Sequence, residues 1–253
     1  GTMDASACWS DASVNTPHGL WLNYADRRSL ERGYATAKVL MDTIAESNPD
    51  FVPRNKYRGN FGDWLSARQT IPPGATDWKA KGGKGAPADL FAAAWWARSA
   101  GQVAQMAAAL GRVDEAQRYG AMAEKIRAAL VKNHVKPDSS VGNGEQSCYA
   151  LTLGMGHVQG EVAAKAAERL MQAIADYQDH LATGSNTTIF LLNFLADHGQ
   201  QDLAYRMVMQ PTCPSYGFMV DSGATAMWER LDGWHPKLGF NPVAMNDFNH
   251  LGL

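Results

Sequence analysis

Apolar and polar positions along this chain follow two helical patterns that take turns. From 89 to 110 the residues are apolar on nearly every side, with Phe91-Ala-Ala-Ala-Trp-Trp96 near the start, and Gly111 follows as a natural helix stop. From 114 to 134 the pattern changes. Ala116, Tyr119, Met122, Ile126 and Leu130 recur at three- and four-residue spacing on one face, and charge covers the other. The tight join at Gly111-Arg-Val113 predicts an antiparallel helical hairpin. The same couple returns at 145–155 with 161–175 and at 187–197 with 201–209, and an earlier pair spans 11–24 and 30–47. A helix that is apolar all round belongs inside, and an amphipathic one outside. Repeated inner–outer hairpins predict an all-α fold, an α/α-barrel of concentric helices. Strand signals are few. Residues 51–84 read as a long connection, marked by Pro72-Pro-Gly74 and Gly82-Gly-Lys-Gly85, and loops of that length are usually functional or mobile.

In such a toroid, the loops before the inner helices surround one mouth. The chemistry-bearing clusters fall there: Trp9-Ser-Asp11, Gly62-Asp-Trp64, Asn143-Gly-Glu-Gln146, Thr183-Gly-Ser-Asn186, and the run from Gly217 to Glu229 that is expected to enter the next helix. The stretch Ser222-Gly-Ala-Thr-Ala-Met-Trp-Glu-Arg-Leu-Asp-Gly-Trp234 carries the most information. It sets Glu229 beside Trp228 on an expected helix, with Asp232 and Trp234 close by. Indole faces stack on the C–H face of a pyranose and exclude water, and a carboxylate beside them can serve as acid or base.

Composition narrows the field. Among 253 residues, 45% are hydrophobic, 19% are charged and the net charge is −2, which gives no electrostatic footprint for nucleic acid or an anionic membrane. No apolar run approaches the roughly 20 residues a membrane helix needs. Cys8, Cys148 and Cys213 are odd in number and widely spaced, so they read as buried or free thiols. The histidines show no zinc-type spacing, the Gly82–Gly85 run is no phosphate loop, and no metal or organic cofactor motif is present. The start Gly1-Thr-Met3 reads as an appended piece before a chain that begins mid-sequence, with no secretory n-region or h-region. The compartment stays open between cytoplasm, periplasm and exterior.

Several of these residues have plain structural readings. Asp11 is expected to cap the first helix, Asp63 can fix its loop as an Asx turn, and Glu145 suits the first turn of a helix by its charge alone. Trp95, Trp96 and the methionines from Met207 to Met245 read as core.

The chain resembles the catalytic domain of α-L-rhamnosidases, the glycoside hydrolases of family 78. The resemblance rests on segments that run in family order. These are Trp9-Ser-Asp-Ala12, Phe61-Gly-Asp-Trp-Leu65, Gln146 through Leu151, Leu181-Ala-Thr-Gly184, Pro214-Ser-Tyr-Gly-Phe-Met-Val220, Gly223-Ala-Thr-Ala-Met-Trp-Glu-Arg230, Asp232-Gly-Trp234 and Met245-Asn-Asp-Phe-Asn-His250. It implies an (α/α)6 barrel, read here as a single partial domain over 1–253 holding roughly ten of the twelve helices. It also implies hydrolysis of terminal α-L-rhamnosides with inversion, on a rhamnosylated small molecule or oligosaccharide. Glu229 is then the general base that activates water. His250 contacts sugar hydroxyls, Trp9 and Trp64 wall the rhamnose subsite, and Asp63 and Trp234 join the substrate site. The family's general acid lies in a segment ahead of Trp9 that this chain does not contain, so the chain alone is expected to be inactive. An incomplete barrel is also expected to self-associate or to need the missing helices. Two other classes stay open: an α/α-barrel sugar epimerase working with a histidine pair, and a carbohydrate-binding fragment without turnover.

Overall fold

The computed structural model describes residues 5–243 and 246–250; Gly1-Thr-Met3 and Met245 lie outside the described residues. Nine α-helices dominate the described residues, with four strands of two residues each. They fall into two compact units, one of residues 1–62 and 87–136 and the other of 63–86 and 137–253.

The first unit holds two helix pairs. In the first, α1 (Ala12–Tyr24) packs on α2 (Arg27–Ser47). The chain turns at Ala25, φ 52°, and Asp26 then caps α2, accepting from the Arg28 N–H at 3.1 Å and the Ser29 hydroxyl at 2.8 Å. Pro17 sits inside α1, and Gly33 of α2 meets its ring. A Cβ at position 33 would stand 2.7 Å from the proline carbons, so the pair closes only over a glycine. The second pair is α3 (Ala88–Ala109) with α4 (Val113–His134). As the apolar pattern predicts, α3 is buried over most of its length, including Trp95 and Trp96, whereas α4 buries one stripe of Tyr119, Met122, Ile126 and Leu130. At their join Gly111 takes φ 76°, the Arg112 N–H reaches the Ala107 carbonyl and the Gly111 N–H reaches that of Ala108. This paired arrangement satisfies the last carbonyls of a helix and needs a left-handed residue where glycine stands. A short parallel ladder pairs β1 (Ala5–Ser6) with β2 (Tyr57–Arg58).

The second unit begins with the irregular stretch 63–86 and continues with α5 (Gln146–Tyr149), which widens into a π-helical turn over Ala150–Gly154. Gly154 allows α7 (Thr188–Asp197) to approach, since a Cβ there would lie 2.5 Å from the Phe190 carbonyl oxygen. Between them runs α6 (Gly160–Asp176), amphipathic, burying Ala166, Leu170 and Ile174. Helix α8 (Gln201–Val208) packs on α7. The run Ile189–Leu192 predicts an inner helix buried all round, but α7 buries only a stripe of Thr188, Leu191 and Leu195, and Ile189 is 55% exposed. The last helix also departs from expectation. α9 (Tyr216–Asp221) is a turn and a half long and does not extend to Glu229. Gly223, φ 84°, ends it, with Ala224 N–H on the Met219 carbonyl and Gly223 N–H on that of Val220, the same stop that ends α3. A hairpin of β3 (Trp234–His235) and β4 (Gly239–Phe240) follows. An apolar cluster of Ile71, Cys213, Phe218, Met219 and Trp228 joins these pieces, flanked by Trp78, Trp234 and Phe248.

Candidate active site

Because α9 ends early, Glu229 sits on an irregular segment, not on a helix, and the segment needs other anchors. One is the chain's end. The Glu229 N–H donates to the Asp247 carbonyl at 2.7 Å, and the His250 N–H donates to the Met227 carbonyl at 2.9 Å. This strand-like pairing sets 227–229 alongside 247–250. The Asp247 N–H also donates to Glu229 Oε2 at 3.1 Å, which fixes one carboxylate oxygen. The second anchor is a buried ion pair. Arg230 Nε lies 3.0 Å from Asp232 Oδ1, with side chains 3% and 1% exposed. Arg230 also donates to the Gln69 carbonyl at 2.6 Å, and Asp232 accepts the Ile71 N–H at 3.0 Å. The guanidinium next to Glu229 is thus spent on Asp232 and on the 69–71 loop.

Trp228 is 6% exposed. It is buried in the apolar cluster, edge-on to Phe248 at 5.1 Å between ring centres. Its role is to lock the backbone from which Glu229 projects.

Glu229 lines a cavity of about 20 Å³ together with Leu65, Thr183, Gly184, Ser185, Thr188, Tyr216, Trp228 and Leu231. Roughly 10–15 Å³ suffices for one water, so the space fits a water and is far too small for a pyranose ring. Its walls carry hydroxyls, which can hold a water in place. The turn 183–188 forms part of the same wall and is held by buried partners. Asp63 is buried, and its Oδ2 accepts from the Gly184 N–H at 2.7 Å and from the hydroxyls of Ser147 and Thr187, each at 2.5 Å. Burial pushes the Asp63 carboxyl above its ordinary value of 3.8, and these donors pull it back down. The Trp64 carbonyl accepts the Ser185 N–H at 2.8 Å. Gly184 is obligatory, since a Cβ would fall 2.1 Å from the Trp64 carbonyl oxygen.

The remaining residues expected at the site are placed as follows. Asp63 and Trp64 hold the turn that walls the cavity. His250 lies on the segment paired with the Glu229 segment, and its buried Nδ1 finds no partner among the described residues. Trp234 is half-buried in β3 against the apolar cluster. Trp9 belongs to the first unit, where it is 41% exposed and packs on Phe61 with ring centres 4.9 Å apart. Asp11 does not cap α1 with its side chain. Its carboxylate turns inward to accept the Cys8 N–H at 2.8 Å, the Tyr57 hydroxyl at 2.5 Å and the Ser99 hydroxyl. That fixes the turn carrying Trp9, where Cys8 takes φ 74°.

Glu145 is equally committed. Its oxygens accept the Lys84 N–H at 2.5 Å and the Gly85 N–H at 2.6 Å, so it serves as the clasp of the glycine-rich loop. What the sequence reading missed is the Arg230–Asp232 pair. Its signal is an i, i+2 Arg-x-Asp in an apolar setting, which spacing alone does not separate from a solvated pair. No group of three or more His, Cys, Asp or Glu side chains suited to a metal ion occurs among the described residues, and none of the described helices is long and apolar enough to cross a membrane.

Comparison with known proteins places the whole chain in one family. The bacterial alpha-L-rhamnosidase 6 hairpin glycosidase domain matches residues 1–253. The chain is 35% identical over 244 residues to an alpha-L-rhamnosidase of Streptomyces avermitilis, covering 96% of this chain and 22% of that protein. It superposes on the crystal structure of the Streptomyces avermitilis alpha-L-rhamnosidase complexed with L-rhamnose with TM-score 0.81 and 34% identity, over 95% of this chain and 21% of that one. It is similar also to the native enzyme of Aspergillus terreus, with TM-score 0.85 and 26% identity, over 99% of this chain and 28% of the other. The chain therefore spans about a quarter of the length of the relatives it matches.

Proposed function

Since the chain belongs to the bacterial α-L-rhamnosidase six-hairpin glycosidase family, we propose that it supplies the base half of an inverting α-L-rhamnosidase, with Glu229 activating the attacking water. The observation that carries this reading is the place of Glu229 on a cavity of about 20 Å³ whose lining includes Thr183, Ser185, Thr188 and Tyr216. A general base must lie within hydrogen-bond reach of the water whose proton it takes. Its neighbouring cation is consumed elsewhere, so the carboxylate keeps a lone pair for that proton. One oxygen accepts the Asp247 N–H and the other is left for the water.

The substrate is a terminal α-L-rhamnoside on a small molecule or oligosaccharide. His250, whose imidazole can donate or accept a hydrogen bond, meets a sugar hydroxyl. Trp64 offers an apolar face to the ring, and Trp234 backs the Glu229 segment. Inversion needs a second carboxyl group roughly 6.5–9.5 Å from the base to protonate the leaving oxygen. The internal candidates are otherwise engaged: Glu145 by loop amides, Asp63 by three donors and Asp232 by Arg230. In this reading the acid is supplied by a part of the enzyme other than these three carboxylates, ahead of Trp9 as the family resemblance implies, and this chain by itself does not turn over substrate.

The epimerase reading gains nothing, because it needs a matched histidine pair. His180 has Nδ1 against the Gln178 carbonyl and Nε2 against the Thr212 hydroxyl, both at 2.8 Å. The test is an assay of this chain, and of a family-length protein that contains it, with an aryl α-L-rhamnoside, the released sugar being followed by proton NMR. The longer protein releases β-L-rhamnose first and the isolated chain releases none. First release of the α-anomer, or interconversion of a free sugar without glycoside cleavage, overturns the reading.

A further inference from the structure

The buried carboxylate at position 63 has a role beyond the sugar contact that the sequence expects of it. Its single oxygen Oδ2 gathers donors from two separate segments: the Ser147 hydroxyl on α5, and the Gly184 N–H and Thr187 hydroxyl on the turn before α7. Oδ1 is buried as well and has no partner among the described residues. A carboxylate with 4% of its residue surface exposed and surrounded this way has no face left for a pyranose hydroxyl. The turn it holds is the one that walls the cavity in front of Glu229, through Thr183, Gly184, Ser185 and Thr188. Within that turn the Thr188 hydroxyl bonds the Gly184 carbonyl at 2.8 Å and lies 2.8 Å from the Thr183 hydroxyl. The hydroxyl geometry of the cavity thus depends on where Gly184 and Thr187 are held.

We propose that Asp63 is a positioning residue: it sets the 183–188 turn so that the turn's hydroxyls and Glu229 hold the same water. This rests on the reading of Glu229 as general base. A water displaced by about an ångström from its line of attack loses on the order of a hundredfold in rate, so the effect falls on the chemical step. Binding of the sugar, which Asp63 does not touch, is left alone.

The experiment compares wild type with Asp63→Asn and Thr187→Val in the family-length protein, reading kcat and KM on an aryl α-L-rhamnoside together with amide hydrogen exchange at Gly184 and Ser185. Asp63→Asn keeps the shape and one acceptor; Thr187→Val removes a single donor and leaves the carboxylate in place, so it reports even where the first variant folds poorly. The expected result is a kcat lowered roughly 10- to 100-fold in Asp63→Asn, less in Thr187→Val, with KM within about twofold and faster exchange at both amides. A raised KM at unchanged kcat makes Asp63 a sugar ligand and overturns the proposal. Wild-type exchange with wild-type kcat overturns it too. If Glu229→Gln retains turnover, the base assignment is what fails. The exchange data then decide the remaining claim alone: unchanged exchange at Gly184 in Asp63→Asn refutes any positioning of the turn.

Discussion

Removing Asp232 tests how the Glu229 segment is held. Asp232→Leu deletes the anionic partner of Arg230 while both side chains are almost wholly buried, 3% and 1% exposed. Breaking a buried pair by taking one partner costs about 3–5 kcal/mol, because the other charge stays desolvated and unpaired. The Ile71 N–H, 3.0 Å from Asp232 Oδ2, loses its acceptor at the same time, and that loss is contained in the range. For a unit of this size such a change lowers Tm by roughly 6–20 °C. The double variant Arg230→Met/Asp232→Leu separates charge from packing. Replacing both members with apolar side chains removes the stranded guanidinium, and more than half of the lost stability returns. Calorimetry on wild type, both single variants and the double variant measures each corner. A Tm for Asp232→Leu within about 2 °C of wild type, or a double variant no better than the single, refutes the reasoning.

Three further outcomes follow from the same contacts. Gly184→Ala forces a methyl against the Trp64 carbonyl oxygen at 2.1 Å and Asp63 Oδ1 at 2.8 Å, which costs about 1–3 kcal/mol in denaturant titrations and lowers turnover. Burial raises the Asp11 carboxyl above its ordinary 3.8, so the folded state holds that proton more tightly than the unfolded chain does. Its contribution to stability is full below the unfolded value and is lost as pH rises through the folded one; in Asp11→Asn the fall in unfolding free energy with rising pH above about 4 becomes shallower, and an identical slope in both proteins contradicts this. Burial pushes the Cys148 thiol up to about 11 and that of Cys213 to about 12, so a disulfide reagent at neutral pH modifies neither in the native protein and both after denaturation; rapid native labelling of either rejects the placement.

Much of the helical architecture was legible because it depends on periodicity. The stripe on α4 and the apolar wrap of α3 are written in residue spacing, and Gly111 marks their turn. The run from Gly217 to Glu229 was expected to enter the next helix, but α9 stops at Gly223, short of Glu229. There tertiary anchoring by 246–250 and the Arg230–Asp232 pair overrides local preference. Side-chain direction was not legible. Asp11 and Asp63 stand beside loop tryptophans and look like a cap and a ligand, but both turn inward because buried hydroxyls from distant segments, Tyr57 and Ser99 or Ser147 and Thr187, wait for them. No local pattern encodes such partners. Glu145 followed its sequence context no further than the helix start. Its bond to the glycine loop is long-range.

The central claim is that Glu229 takes a proton from a water held in a small hydroxyl-walled cavity. Steady-state kinetics of Glu229→Gln in the family-length protein, on an aryl α-L-rhamnoside, tests it most directly. The amide keeps the size and the Asp247 contact but cannot accept the proton, so kcat falls by a factor on the order of 10³ or more while KM changes little. Turnover within tenfold of wild type would contradict the account.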